Sequence, residues 1–322
     1  MSWKKKLTTC TILTGTAMGI MHVVNRFVYY ISTMDNLLFN KDEKYYDWRF
    51  GRIFYTKQGS GSPILLIHDL NVCSSDYEWH KIVGKLSKTN TVYTIDLLGC
   101  GRSQKPNLTY TNYLYVQLIT DFIKHVIGNR TDVVATGESG TFVLMACAND
   151  NTLIDKVMLV NPGDLVSLAK IPTKRTKLLR HIINTPILGT FIYNMKVNKR
   201  SIEEDFQNRY CYNLNNIEEK SVMTYFEASH TNNTHSKYLY SSIISRFTNA
   251  NVMHCLKNIN NSIFILVGNA NPESTLTANQ YQNQLPSIEI AEIDRTKHLP
   301  QLEAPDEFLE QVRILFDIED IE

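Results

Sequence analysis

A serine in the middle of the chain has the surroundings of a reactive nucleophile. Ser139 follows Gly137 by two residues, between an apolar run at 132–135 that predicts a strand and a pattern at 141–148 that predicts a helix. Small neighbours permit the sharp strand-to-helix turn that lifts a serine hydroxyl above a sheet. The full pattern is Gly-x-Ser-x-Gly, and here Thr141 occupies its last position. We therefore expect Ser139 to be the nucleophile of a covalent reaction.

A histidine near the C-terminus has the right chemistry to activate such a serine. A hydroxyl is a weak nucleophile until an adjacent base takes its proton, and imidazole is the usual base. His298 lies between a predicted strand at 287–293 and a predicted helix at 305–316. A lone loop histidine is more often a surface residue, but this position after the last strand favours a catalytic role. The sequence predicts a hydrogen bond between Ser139 and His298.

Two more motifs occur in a fixed order before that serine. The run His68-Asp69-Leu70 follows the first buried strand, and the run 96–103 (Asp-x-x-Gly-x-Gly-x-Ser) follows the second. With the Ser139 turn and the His298 loop, these motifs resemble the α/β-hydrolase superfamily from about residue 45 to the C-terminus. The resemblance implies a serine hydrolase of the helical-cap, esterase- or lipase-like type that needs no cofactor and no metal. A serine nucleophile would exclude the aspartate routes of haloalkane dehalogenases and epoxide hydrolases.

The resemblance also implies two backbone donors for the oxyanion that forms during acyl transfer. These would be the N–H groups of Leu70 and Gly140. Asp69 stands where the family has a glycine, which changes the shape of this loop. Asp96 and Arg102, in the loop after the second strand, are interpreted as structural residues that tie loops together.

The third member of the expected triad departs from the family pattern. The acid position after the penultimate strand holds Asn271. An amide can orient an imidazole but cannot stabilise an imidazolium as a carboxylate does. Asp164 and Glu273 are the alternatives, and Asp164 could equally cap the helix that follows it. We take Asn271 as the expected third member because its position matches the family.

Strands that alternate with helices predict an α/β fold, with a mostly parallel, doubly wound sheet covered on both faces. The alternation of strands and helices stops at 164–259, which is helical in pattern and rich in tyrosine and phenylalanine. This segment is expected to be an inserted helical cap over the site, although most of its aromatic residues could form its own core. The expected hydrolase core is then 39–163 and 260–322.

Residues 1–38 form a separate, hydrophobic N-terminal segment. Three lysines, Lys4 to Lys6, precede a charge-free stretch from Leu7 to Val24, and aromatic residues follow it. Its length is near the lower limit for a membrane-spanning helix. The preferred interpretation is a membrane-associated segment that contacts lipid through residues 7–31, with the side of the membrane left open. A helix packed on the domain and a signal peptide are the alternatives.

The overall composition narrows the function classes. Thirty-three basic and 32 acidic residues give a net charge of +1, which argues against a nucleic-acid partner. The six cysteines include no Cys-x-x-Cys pair, which argues against a zinc ribbon. The expected function is cleavage of an ester or related acyl bond in a largely apolar small molecule. The alternative is a catalytically weak or inactive hydrolase fold that serves as a membrane-associated binding or scaffold protein, and Asn271, Asp69 and Thr141 favour it.

Overall fold

The computed structural model describes residues 3–40, 43–213, 215 and 218–318. Within these ranges the centre of the molecule is one eight-stranded sheet with the order β1-β2-β4-β3-β5-β6-β7-β8. The pairs β1–β2 and β2–β4 are antiparallel, and the other pairs are parallel. The strands are β1 (Lys44–Trp48), β2 (Gly51–Gln58), β3 (Pro63–Ile67), β4 (Thr91–Ile95), β5 (Thr131–Thr136), β6 (Ile154–Val160), β7 (Ser262–Gly268) and β8 (Glu289–Ile293).

Helices cover both faces of this sheet. In β3, Leu65 and Ile67 belong to one hydrophobic cluster, whereas Ile64 and Leu66 belong to a second one, because successive strand side chains point to opposite faces. All four side chains are fully buried. The helices of the core are α2 (Val83–Leu86), α3 (Asn112–Phe122), α4 (Ser139–Asn149), α12 (Pro272–Gln284), α13 (Pro300–Glu303) and α14 (Pro305–Phe316). This architecture confirms the predicted α/β-hydrolase fold.

The long connection between β6 and β7 consists of helices joined by loops in its described part. Phe206, Tyr210 and Tyr225 contact one another at centroid distances of 4.9 to 6.0 Å and are almost completely buried. These aromatic residues therefore form the interior of the cap, and Tyr210 also reaches the site. The cap helices are α5 (Leu165–Leu168), α6 (Lys174–Ile183), α7 (Ile187–Lys196), α8 (Lys199–Asp205), α9 (Glu219–Thr234), α10 (Lys237–Ile244) and α11 (Met253–Leu256).

The N-terminal helix α1 (Trp3–Thr33) has two distinct parts. Its most apolar 18-residue window has a mean hydropathy of 1.4 and is not buried by the rest of the protein. From Asn25 onward the chain packs on the cap, where Asn25 Nδ2 donates to Ile187 O at 3.0 Å. Beyond the helix, the N–H groups of Leu37 and Leu38 donate to the carboxylate of Glu227. Residues 25–38 of the predicted N-terminal segment thus belong with the cap.

Candidate active site

The turn between β5 and α4 places its strained residue at Gly137. Gly137 has a φ of +58°, in the left-handed region that glycine adopts without a Cβ penalty. In a nucleophile elbow the reacting side chain belongs to the strained residue between strand and helix. Ser139 lies two residues later, as the first residue of α4. The elbow pattern is therefore Ala135-x-Gly137-x-Ser139, in which Ser139 is a small flanking residue and the nucleophile position has no side chain.

The hydroxyl of Ser139 has a structural partner. Ser139 is fully buried, and its Oγ donates to the carbonyl oxygen of His68 at 2.6 Å. This bond ties the start of α4 to the loop after β3. The predicted hydrogen bond between Ser139 and His298 is not formed, because the Ser139 hydroxyl is bonded to His68 O instead.

The carboxylate of Asp69 lies at the elbow instead. Its Oδ1 accepts a hydrogen bond from the backbone N–H of Glu138 at 2.9 Å, and its Oδ2 lies 3.1 Å from Nε2 of His298. A Cβ built on Gly137 would lie only 2.1 Å from Asp69 Oδ1. Asp69 therefore fills the space that a nucleophilic side chain at position 137 would need. The carboxylate of Asp69, after the end of β3, thus reaches the turn between β5 and α4.

The surroundings keep Asp69 ionised. Burial by itself raises the pKa of this carboxyl, but the hydrogen bond and charge of His298 and the Glu138 N–H outweigh burial. The net effect lowers the pKa of Asp69 below its usual range, with a smaller contribution from the charge of Arg209. The side chains of Asp69 and His298 are 12% and 20% exposed, so neither is completely buried.

Two more carboxyl groups lie close to Asp69, and both hold their protons more tightly than usual. Glu78 is buried and accepts a hydrogen bond from the N–H of Asp69 at 3.2 Å. Burial and the charge of Asp69 raise the pKa of Glu78 to about 8 and that of Glu138 to about 7. Negative charge is therefore concentrated on Asp69, because a second buried carboxylate beside it is costly.

The loop that carries His298 is held by residues that sequence reasoning missed. Asn161, directly after β6, donates from Nδ2 to the carbonyl oxygens of Lys297 (2.9 Å) and His298 (3.1 Å). Its Oδ1 accepts from the N–H of Gly268 at 3.2 Å. The Tyr210 ring stacks on the His298 imidazole at 5.8 Å. Asn161 directly follows a predicted parallel strand, and this position could have indicated its role from the sequence.

Two of the three candidates for the third triad member, Asn271 and Asp164, serve as helix caps. Asn271 Oδ1 accepts from the N–H of Glu273 at 3.2 Å and caps α12. Asp164 Oδ2 accepts from the N–H of Ser167 at 2.7 Å and caps α5, as its capping alternative predicts. Glu273 is exposed in the first turn of α12. Among the described residues, the hydrogen bond of the His298 ring goes to Asp69, and the predicted contact of Asn271 with this ring is not formed.

The backbone N–H groups expected as oxyanion donors lie on either side of this turn. The residue after Gly137 is Glu138, and its N–H donates to Asp69 Oδ1. The Gly140 N–H donates to Gly137 O at 3.3 Å, within the first turn of α4. Leu70 is buried directly after Asp69.

The loop after β4 has the structural role that its sequence suggests. The guanidinium of Arg102 pairs with both Asp76 and Asp96, and its Nε lies 3.0 Å from Asp96 Oδ2. The same guanidinium donates to Leu38 O at 3.1 Å, which links the loop to the segment that follows α1.

A family model described as "Alpha/beta hydrolase family" matches residues 64–311. The 2-hydroxy-6-oxo-6-(2'-aminophenyl)hexa-2,4-dienoic acid hydrolase of Metapseudomonas resinovorans is 26% identical over 114 residues, 35% of this chain and 39% of that protein. The soluble epoxide hydrolase of Corynebacterium sp. (strain C12) is 23% identical over 152 residues, 46% of this chain and 52% of that protein. The chain thus spans about half or less of the length of these curated relatives.

Solved structures share the fold along most of the chain. Cfl2 wild-type from Burkholderia cenocepacia has a TM-score of 0.69 at 15% identity, covering 85% of this chain and 95% of that one. The carboxylesterase CesB from Bacillus subtilis has a TM-score of 0.65 at 12% identity, covering 92% and 98%. The epoxide hydrolase CorEH has a TM-score of 0.67 at 16% identity, covering 85% and 98%. With the family model spanning most of its length, this chain belongs to the α/β-hydrolase family.

Proposed function

We propose that this chain is a small-molecule hydrolase in which Asp69 and His298 carry the reaction in place of a serine. The observation that carries the proposal is the double contact of the Asp69 carboxylate, with Oδ1 on the Glu138 N–H and Oδ2 on His298 Nε2. A carboxylate is a competent nucleophile in hydrolases that form covalent intermediates. Such a reaction also requires a donor for the oxyanion and a base. The Glu138 N–H and the His298 imidazole, on either side of the carboxylate, would supply them.

The substrate class follows from the carboxylate. Attack on an acyl carbon, as in the ester predicted from Ser139, would give a reactive anhydride. Attack on a saturated carbon gives an ordinary ester, so a strained or activated C–O bond, such as an epoxide, fits this site better. A cavity of about 230 Å³ lies beside the loop after Asp69 and is lined by Leu70, Asn71 and Arg209, together with apolar and charged residues of the cap. Its volume supports a small substrate.

The proposed reaction has two steps. Asp69 Oδ2 forms a bond to the saturated carbon, the C–O bond breaks, and the leaving oxygen takes the proton of the His298 imidazolium. The neutral His298 then removes a proton from water, whose oxygen attacks the carboxyl carbon of Asp69. The tetrahedral oxyanion forms on Oδ1, where the Glu138 N–H stabilises it. Its collapse breaks the ester C–O bond, and the departing oxygen takes the remaining proton of the attacking water. This releases the alcohol product and restores the carboxylate with one oxygen derived from water, while His298 stays protonated for the next turnover.

Isotope labelling tests this route. During turnover of an epoxide panel in H₂¹⁸O, the peptide that contains Asp69 should gain about 2 Da per exchanged oxygen, because water attacks the carboxyl carbon. Turnover without label in this peptide would exclude Asp69 as the nucleophile. Asp69→Asn provides the matched control, since its amide retains an oxygen for the Glu138 N–H.

A second candidate is a binding or scaffold protein without catalytic activity. Gly137 offers no nucleophile, and Ser139 is buried with its hydroxyl on His68 O. If epoxides, alkyl halides and esters all remain intact, and no label enters Asp69, this candidate becomes the better one.

We also propose that the exposed part of α1 associates with a membrane. The support is an 18-residue apolar window that no other part of the described chain covers. Deleting residues 1–22 should release the protein from membranes and leave its folding intact, because Asn25 is the first buried residue of α1. A signal sequence would instead be absent from the mature protein, which N-terminal sequencing would reveal.

A further inference from the structure

The cap helix α6 exposes an apolar stripe bordered by positive charge. Leu178 and Ile182, one turn apart on the same face, are 62% and 37% exposed, and Leu179 is 42% exposed. The helix contains no acidic residue. Four of its basic side chains, counting histidine, are exposed to solvent: Lys174, Arg175, Lys177 and His181.

The C-terminal end of α6 lies close to the residues that α1 contacts where it leaves the domain. Asn25, the first buried residue of α1, donates to the carbonyl of Ile187, the first residue of α7. It also accepts from Asn194 Nδ2 at 3.0 Å. Only three residues separate Ile183, the last residue of α6, from Ile187.

The connection between α6 and α7 is held firmly in place. The ammonium of Lys237 donates to Thr185 O at 2.8 Å and to Thr190 Oγ1 at 2.9 Å. Because Asn25 of α1 bonds to Ile187, directly after this connection, the C-terminal end of α6 lies near the point where α1 leaves the domain.

We propose that α6 lies on the surface of an anionic phospholipid bilayer, the same bilayer into which α1 inserts. Exposed leucine and isoleucine side chains beside lysine and arginine are the features of helices that lie in a membrane interface. Anionic headgroups attract such basic segments at short range. The cap then faces the bilayer. This inference rests on the proposed membrane association of α1, which supplies the nearby bilayer.

Hydrogen exchange of the full chain in lipid nanodiscs tests the proposal. One set of nanodiscs contains phosphatidylcholine alone, and the other contains phosphatidylcholine with phosphatidylglycerol. We expect the amides of residues 174–183 to exchange several-fold more slowly in the anionic nanodiscs. The variant Lys174→Glu/Lys177→Glu should lose this difference while α1 keeps the protein in the nanodisc.

The matched control is Lys57→Glu/Lys88→Glu. These two exposed lysines lie near the end of β2 and just before β4, at the edge of the sheet opposite the cap, and their reversal changes the net charge by the same amount. The control should keep the protection of α6.

Three results would overturn the proposal in distinguishable ways. Co-elution with nanodiscs but equal exchange in both lipids would reject the α6 contact and leave the anchor proposal standing. A failure to co-elute would reject both. Protection of α6 in detergent that rises with protein concentration would assign the stripe to contact between two copies of the chain.

Discussion

The Nε2 atom of His298 lies 3.1 Å from Oδ2 of Asp69, not beside the hydroxyl of Ser139. The site therefore keeps the histidine of an α/β hydrolase but pairs it with a carboxylate from the loop after β3. The elbow glycine makes this pairing possible, because any side chain on Gly137 would collide with Asp69.

Asp69→Asn should abolish turnover with little change in fold. The amide keeps an acceptor for the Glu138 N–H but is not a nucleophile, so we expect kcat to fall by roughly 10⁴-fold or more. Steady-state kinetics with the best epoxide of the panel, together with circular dichroism, measure the two effects. Full activity in the variant would contradict the proposed mechanism.

Ser139→Ala should remain active but be less stable. The change removes the donor to His68 O in a fully buried place, which costs about 1–3 kcal/mol of unfolding free energy. Denaturant titration measures this loss. A folded variant with no activity would support Ser139 as the nucleophile. Labelling of the wild type at Ser139 by a fluorophosphonate would also support this role.

Gly137→Ser and Asp69→Gly should rescue each other. Gly137→Ser alone should destabilise the fold strongly, because its Cβ meets Asp69 Oδ1 and a non-glycine residue at a φ of +58° costs about 1–3 kcal/mol. Asp69→Gly removes the collision, so the double variant should be more stable than the single Gly137→Ser variant. Additive losses in a double-mutant cycle would argue against this steric relationship.

The double variant also tests the assignment of the elbow. It places a serine on the strained residue, beside a glycine at position 69, as the family pattern requires. We expect a fluorophosphonate to label the introduced serine at position 137, detected by mass spectrometry, whereas the wild type should not react. Labelling at Ser139 in either protein would contradict this register.

Glu78 should make the protein less stable as the pH rises. The pKa of Glu78 is raised to about 8 in the fold, whereas an exposed glutamate titrates near about 4.3. Between these values the folded state binds a proton that the unfolded state has released, so stability falls with pH by up to about 1.4 kcal/mol per unit. Glu78→Gln should flatten this slope between about pH 5 and 8. Equal slopes for wild type and variant would refute this assignment.

Asn271→Ala should affect stability and leave turnover intact. The side chain caps α12 through the Glu273 N–H, and the loss of such a cap costs about 0.5–2 kcal/mol. Thermal unfolding and kcat/KM report the two effects separately. A large loss of kcat/KM in the folded variant would return Asn271 to the site. Asn161→Ala, which loosens the His298 loop, provides the contrasting case, with an expected loss of activity.

Much of this protein is readable from its sequence. The order of apolar runs and motifs predicts the α/β-hydrolase fold, because strand–helix alternation leaves few other architectures. The helical pattern and the apolar stretch at the N-terminus also indicate α1. The position of His298 after the last predicted strand identifies this residue without any knowledge of its partner. The capping alternative for Asp164 follows from local chemistry alone.

The pairing of His298 with Asp69 was decided by tertiary structure. Both Gly137-x-Ser139 and Ala135-x-Gly137-x-Ser139 meet the local demand for small residues, so the sequence does not distinguish the two registers. The backbone angle of Gly137 does, because only one residue of the turn adopts the strained conformation. Asp69 is far from Gly137 in sequence, and its carboxylate reaches the elbow only because β3 and β5 are neighbours in the sheet. The side chain of Asp69, after β3, thus occupies the space beside β5 where Gly137 has no side chain.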